Sequence, residues 1–297
     1  MNHRLIAAAL AAALPLARCA TTAQTETAAP QSAHDRLFAA FEAADEAELR
    51  LSPLEALSRG DRRYAEHFGD YITDEYYAAV ERQARANIAA VEAVDRAALS
   101  PTDRIAYDVF VWNERRSLDA LAEPLASLVR VRPVNHFSSI PTFYPTFASG
   151  EGEAPFETLE DYENNLKRHR EYIVWLDRAI GRMREGLASG VVETRMTIEN
   201  VIEQLDGQVA APVEESPFYG PVTDFPDNIG EADRARLTAE YRAAVGEIMD
   251  AYRRMSAFLK ADYLPATRAD VGLWSMKGGD TLYRELVERY TTLPLDP

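Results

Sequence analysis

Apolar residues recur along this chain at steps of three, four and seven, the spacing that gathers side chains on one face of an α-helix. From Thr158, whose "TLED" has the form of a capping box, Tyr162, Leu166, Ile173, Leu176, Ile180, Met183 and Leu187 hold that spacing as far as Gly190. The pattern predicts one rod of about 30 residues, roughly 45 Å long. Leu237, Tyr241, Val245, Ile248, Tyr252, Met255 and Leu259 predict a second, closing before Pro265. Shorter runs predict further helices. Ser32 caps a run with Leu37, Phe38, Phe41 and Leu49 that Pro53 stops, and Thr73 opens another that reaches Val94. Ser100 and Pro101 start a helix whose inward face is read as Ile105, Val109 and Trp112, with Phe110, Leu118 and Leu121 on a neighbouring strip. Met196, Val201, Ile202 and Leu205 point one more helix inward.

Two segments break the period. Residues 130–155 hold four prolines among clustered aromatics, and residues 215–230 hold three more. No period-two run is long enough to force a sheet. The prediction is an all-α fold, a bundle of long antiparallel helices with two Pro/aromatic-rich loops lying over it.

Composition adds a location and removes some partners. "MNHRLIAAALAAALPLARCA" has a basic start, an apolar stretch and small residues near its end, which is the layout of a signal peptide too short to span a membrane. The expected domains are therefore a signal over residues 1–19, a small polar tether over 20–32, and a helical domain over 33–297. Cys19, the one cysteine, sits where a bacterial lipoprotein is cut and acylated, although Arg18 stands where a small residue is usual. Acylation at Cys19 and ordinary cleavage near Ala20 or Ala23 both remain open. Either outcome predicts an exported chain, periplasmic or lipid-anchored to the envelope, that touches membrane only through an anchor at Cys19. With 48 acidic against 32 basic residues, a net charge of −16 repels phosphate backbones and excludes nucleic acid as a partner.

The usual catalytic signatures are absent from the sequence. It has no glycine-rich phosphate loop and no GxSxG, and the five histidines lack zinc-ligand spacing. Two readings stand for the loop "PVNHFSSIPTFYP". Its aromatics roof the bundle, or Asn135, His136, Phe137 and Tyr144 line a cleft that accepts a peptide. His169, midway between Leu166 and Ile173, reads as a packed core residue, and the Glu214-Glu215 pair reads as solvated surface. No metal ligand and no cofactor is assigned.

The ordered series "RPVNHFSSIPTF", "DYENNLKRHREYIVWLDRAIGRMREGLASGVVETRMTIENVIEQLD", "ESPFYGP" and "YLPATRADVGLWSMKGGDTLYRELVERYTT" resembles the N-terminal half of the bacterial exported family named domain of unknown function 885. Thr194 and Met276-Lys277 depart from it, where a proline is common. The resemblance implies a two-lobed, all-α body like the long-helix zinc peptidases, with its histidine motif beyond the position of Thr291-Thr292. No catalytic or zinc-binding residue carries over to this sequence, so zinc is expected only with a C-terminal half. The expected function is a non-catalytic N-terminal lobe of a metallopeptidase-like exported protein, inactive alone. It would pair with that half or self-associate through an exposed apolar face. A stand-alone periplasmic helical binding or scaffold protein is the alternative.

Overall fold

The computed structural model describes residues 31–297. They form an all-α fold with no strand among the described residues, only a lone parallel bridge between Thr194 and Arg268. No helix among them is long and apolar enough to cross a membrane.

Helix α1 (Ala33–Leu51) starts on a capping box in which Ser32 accepts from the Asp35 N–H and Asp35 bonds back to Ser32. Pro53 does not simply stop it. Proline needs no donor in a first turn, so it opens the short α2 (Pro53–Ser58). Thr73 caps α3 (Asp74–Glu92), and Ser100 caps α4 (Pro101–Leu121). Contacts between His34 and Asp103 and between Phe41 and Phe110 set α1 and α4 side by side in the same direction. Asn87–Glu114 and, just past the end of α3, Arg96–Asp108 contacts run α3 the opposite way against α4.

Leu37, Val91, Val94, Leu99 and Val111 fill this three-helix cluster, joined by Phe41, Tyr107 and Phe110. The inward face of α4 therefore differs from the predicted one: Ile105 is 65% exposed and Val109 52%. Two apolar strips satisfy the same helical period on α4, and the one in aromatic contact with α1 turns inward, with Val111 buried and Tyr107 and Phe110 partly so. Met196, also expected inward, is exposed.

The first proline-rich segment is not all loop. Helix α5 (Leu125–Val129) precedes it, and α6 (Ile140–Phe147) lies inside it with Pro141 in the first turn and Pro145 within. Proline's fixed φ suits a first turn, and a helix of two turns survives one missing donor at Pro145. The second segment winds into 3₁₀ turns over Val213–Glu215 and Pro217–Val222.

Thr158 makes its capping box with Asp161 and starts α7 (Leu159–Ser189), which closes at Gly190. Helix α8 (Arg195–Ala210) follows, then α9 (Glu231–Phe258), a π turn at Leu259–Tyr263, and finally α10 (Gly279–Thr291). The two longest rods, expected antiparallel, instead run in the same direction, since α8 intervenes between them: Glu163, Asn165, Tyr172 and Asp177 of α7 meet Arg236, Tyr241, Tyr252 and Arg254 of α9 in that order. The return is supplied by α8, whose start lies by Arg268 and whose Asp206 lies by Ser256.

The inner face of α7 carries a buried polar row. Asn165 Nδ2 donates to Tyr241 Oη at 3.0 Å and to His169 Nε2 at 3.1 Å. That leaves the histidine proton on Nδ1, 3.3 Å from Tyr144 Oη on α6. Arg168 donates to Asn165 Oδ1 and to the carbonyl of Ala65, and Tyr172 Oη lies 2.8 Å from Tyr252 Oη. His169 thus is a bonded core residue. Burial, then the Arg168 and Arg170 charges, push its pKa down to about 3.

Two outcomes follow from this packing. A β-carbon at Gly186 would stand 2.7 Å from the Val191 carbonyl oxygen and 3.1 Å from that of Val131, whereas one at Gly181 would meet nothing within 4 Å. Gly186→Ala should lower stability by about 1–3 kcal/mol, and Gly181→Ala should raise it by up to about 1 kcal/mol; calorimetric or denaturant unfolding checks both. The unfolded chain protonates His169 below its ordinary pKa while the folded chain holds it neutral down to about 3. The histidine therefore makes stability fall as pH falls through that window, by about 1.4 kcal/mol per unit. In urea titrations between pH 6 and pH 5, His169→Gln should remove that slope relative to the parent chain.

Candidate functional site

A concavity of about 300 Å³ opens between α6, α8 and the turn that precedes α6. The turn is built locally. Asn135 Oδ1 accepts from the N–H groups of Phe137 and Ser138 at 2.8 and 2.7 Å, and Ser139 Oγ donates to the Asn135 carbonyl at 2.6 Å. Gln204 Nε2 on α8 then donates to the His136 carbonyl at 2.9 Å, which ties the turn across the opening. Pro141 and Pro145 give one stiff wall, Val201 and Leu205 the facing one, and Tyr252 the floor.

The lining holds no Asp, Glu, Lys or Arg: its polar groups are the amides of Asn135, Gln204 and Gln208, the hydroxyls of Ser139, Thr142, Thr146 and Tyr252, and the His136 imidazole. In a chain with 27% charged residues this selects for an uncharged ligand that gives and takes hydrogen bonds. His136 Nδ1 is buried with no partner among the described residues. Tyr252, whose phenol burial holds above its ordinary pKa, keeps its proton and bonds Tyr172. No carboxylate faces the space, and its amides, hydroxyls and imidazole are hydrogen-bonding groups suited to binding.

The residues expected at a cleft separate into two groups. Asn135 and His136 line the concavity. Phe137 does not: the Asn135 turn carries it outward, and it is 87% exposed. Tyr144 does not either, because it faces the opposite side of α6 and lies fully buried against Phe68, Tyr172 and His169. Gln204, Gln208 and Tyr252 belong to the lining and escaped sequence reasoning. The two glutamines, four apart on α8, were the available signal, but polar pairs at that spacing also mark any solvated helix face. Glu214 pairs with Arg242 at the surface. Cys19 lies outside the described residues. Among the described residues, no group of three or more His, Cys, Asp or Glu side chains is placed to hold a metal ion.

This architecture has solved counterparts. One is described as "the putative lipoprotein from Colwellia psychrerythraea", with a TM-score of 0.70 at 14% identity. The match covers 89% of this chain and 47% of that one, so the chain spans about half the length of the protein it resembles, and at this identity the likeness concerns the fold. No curated protein matches. Residues 53–297 match the family described as "Bacterial protein of unknown function (DUF885)", and the chain belongs to that family.

Proposed function

We propose that this chain forms the N-terminal, non-catalytic lobe of an exported two-lobed protein, and that its 300 Å³ concavity presents one wall for an uncharged, peptide-like ligand. The observation that carries this reading is an uncovered apolar strip on α4. Ile105, Val109 and the half-buried Trp112 follow one another at steps of four and three, and the next step of four reaches Arg116. Arg116 pairs with Glu285 at 3.6 Å and Glu288 at 3.0 Å, which joins the strip to α10. Tyr283 and Tyr290 of α10 are exposed on the face turned away from Arg116, and Leu293 and Leu295 beyond the helix are exposed as well. Scattered apolar residues on a surface need no explanation, but an uncovered apolar row along one helix face is what an interface leaves behind.

The occupant in this reading is a C-terminal half. The length of the Colwellia protein supports it, since more than half of that chain lies outside the match. The lipoprotein description of that neighbour supports export and anchoring through Cys19. Hydrolysis and zinc binding are assigned to the C-terminal half, because the donor groups in the described residues do not fit a metal ion. A stand-alone periplasmic binding or scaffold role has one observation in its favour, the uncharged pocket beside Asn135 and His136.

The parent chain should bind an apolar-surface dye and self-associate as concentration rises. Ile105→Glu with Val109→Glu should abolish both while changing unfolding free energy by no more than about 0.5 kcal/mol per site, because both positions face solvent. Dye fluorescence and sedimentation velocity report the result. A parent chain that stays monomeric without dye binding, or a double variant that behaves like the parent, contradicts the lobe reading and leaves the stand-alone one.

A further inference from the structure

We propose that a second concavity, of about 510 Å³ and separate from the Asn135–His136 pocket, is a binding site for a free amino acid with an apolar side chain. It lies where the end of α1 and start of α2, the His67–Asp70 turn, the first turn of α3 and the outer face of α7 converge. The volume is that of a small-molecule site. Leu51, Pro53, Val174 and Trp175 give an apolar floor. Val174 is 48% exposed, an uncovered aliphatic residue among the charged neighbours Glu171 and Arg178 on the same helix.

The rim carries both charges, in unequal states of satisfaction. Arg178 uses only Nη1 on Asp70, at 2.9 Å, and Arg50 uses Nε and Nη2 on Tyr64 and Glu46, so each keeps guanidinium donors to spare. Glu171 is held by the Phe68 N–H at 2.7 Å and by His67. Glu75 has no side-chain partner among the described residues. A carboxylate offered to the free guanidinium edges, an ammonium offered to Glu75, and an apolar side chain on the floor make a free amino acid the complementary ligand.

The shape of this mouth is held under strain. Gly69 has φ of 99° and Tyr71 φ of 54°, and a β-carbon at position 69 would come within 2.6 Å of the Tyr71 ring and 3.0 Å of Pro53. Tyr71 Oη accepts from the Leu54 N–H at 3.2 Å, which locks the turn onto α2. A bulky residue in the left-handed region persists only where its surroundings impose it, a condition found at ligand clamps.

The test uses the full chain and L-phenylalanine and L-leucine as probes. Its three tryptophans give three indole N–H resonances, assigned with Trp112→Phe and Trp274→Phe. With either probe, the Trp175 resonance should shift in a saturable way while the other two stay still. N-acetyl-L-phenylalanine and L-phenylalaninamide, which each lack one charge, should bind at least about tenfold more weakly, the scale of one lost charge-assisted hydrogen bond. Val174→Trp, which fills the floor, should abolish the shift. Glu75→Gln, at a surface position without partners, should weaken binding of L-phenylalanine to the level of the N-acetyl compound. The proposal is overturned if neither amino acid gives a saturable shift, if the capped compounds bind as well as the free one, or if Glu75→Gln leaves binding unchanged. Because every readout sits at the α1–α3–α7 concavity, failure here leaves the two-lobe reading of the α4 strip intact.

Discussion

The rest of the structure hangs on a requirement imposed by α7: four polar side chains, Asn165, Arg168, His169 and Tyr172, are taken out of water on a single helix face. Leaving such groups unpaired costs about 1–3 kcal/mol each, so their partners must arrive from elsewhere in the chain. They come from Tyr144 of α6, Tyr241 and Tyr252 of α9, and the Ala65 carbonyl beside the 3₁₀ turn at Arg62–Tyr64. The surrounding core of Phe68, Leu176, Ile198, Phe218, Val245 and Met255 supplies the bulk of the burial. Apolar contact alone tolerates sliding of one rod along another. The hydrogen-bonded row does not, and it sets the register of α9 on α7 and the depth at which α6 sits.

That register is what shapes the two concavities. Tyr252, placed by its bond to Tyr172, is the floor of the uncharged pocket, and Tyr144, drawn inward to His169, turns the opposite edge of α6 toward Gln204 and Gln208. On its outer face α7 presents Val174 and Arg178 to the mixed-charge pocket. The α1–α3–α4 cluster is packed separately around Leu37, Val91 and Val111, which is why α4 can keep one apolar strip inside and another outside.

Much of the fold was legible in the sequence because its signals are local. Thr158 with Asp161, Ser32 and Ser100 mark helix starts by their own hydrogen bonds, and the 31-residue span of α7 follows from an apolar period that keeps its phase across the polar gap between Leu166 and Ile173. What periodicity could not decide was direction. On α4 the strip Ile105–Val109–Trp112 and the strip Tyr107–Phe110–Val111 both fit a helix, and only the position of Phe41 on α1 chooses between them. Residues 140–147 were hidden for the opposite reason, since two prolines suppress the expectation of a helix that tertiary packing nevertheless permits. The candidate site was half legible. Asn135 and His136 line a concavity, but the same turn that places them expels Phe137, and the buried bond to His169 claims Tyr144. Arg168 gave no warning at all, because in "NLKRHREY" it reads as one member of a solvated charge run.

The central claim is that the polar row of α7 is the last structure to open. Native-state hydrogen exchange across increasing denaturant measures this directly. The account predicts that the amides of residues 165–172 in α7 and 241–252 in α9 exchange with one shared free energy equal to that of global unfolding, while the α1–α3–α4 cluster opens at lower cost. If the α7 amides exchange through a cheaper local opening while α1, α3 and α4 stay protected, the polar row does not hold the bundle together.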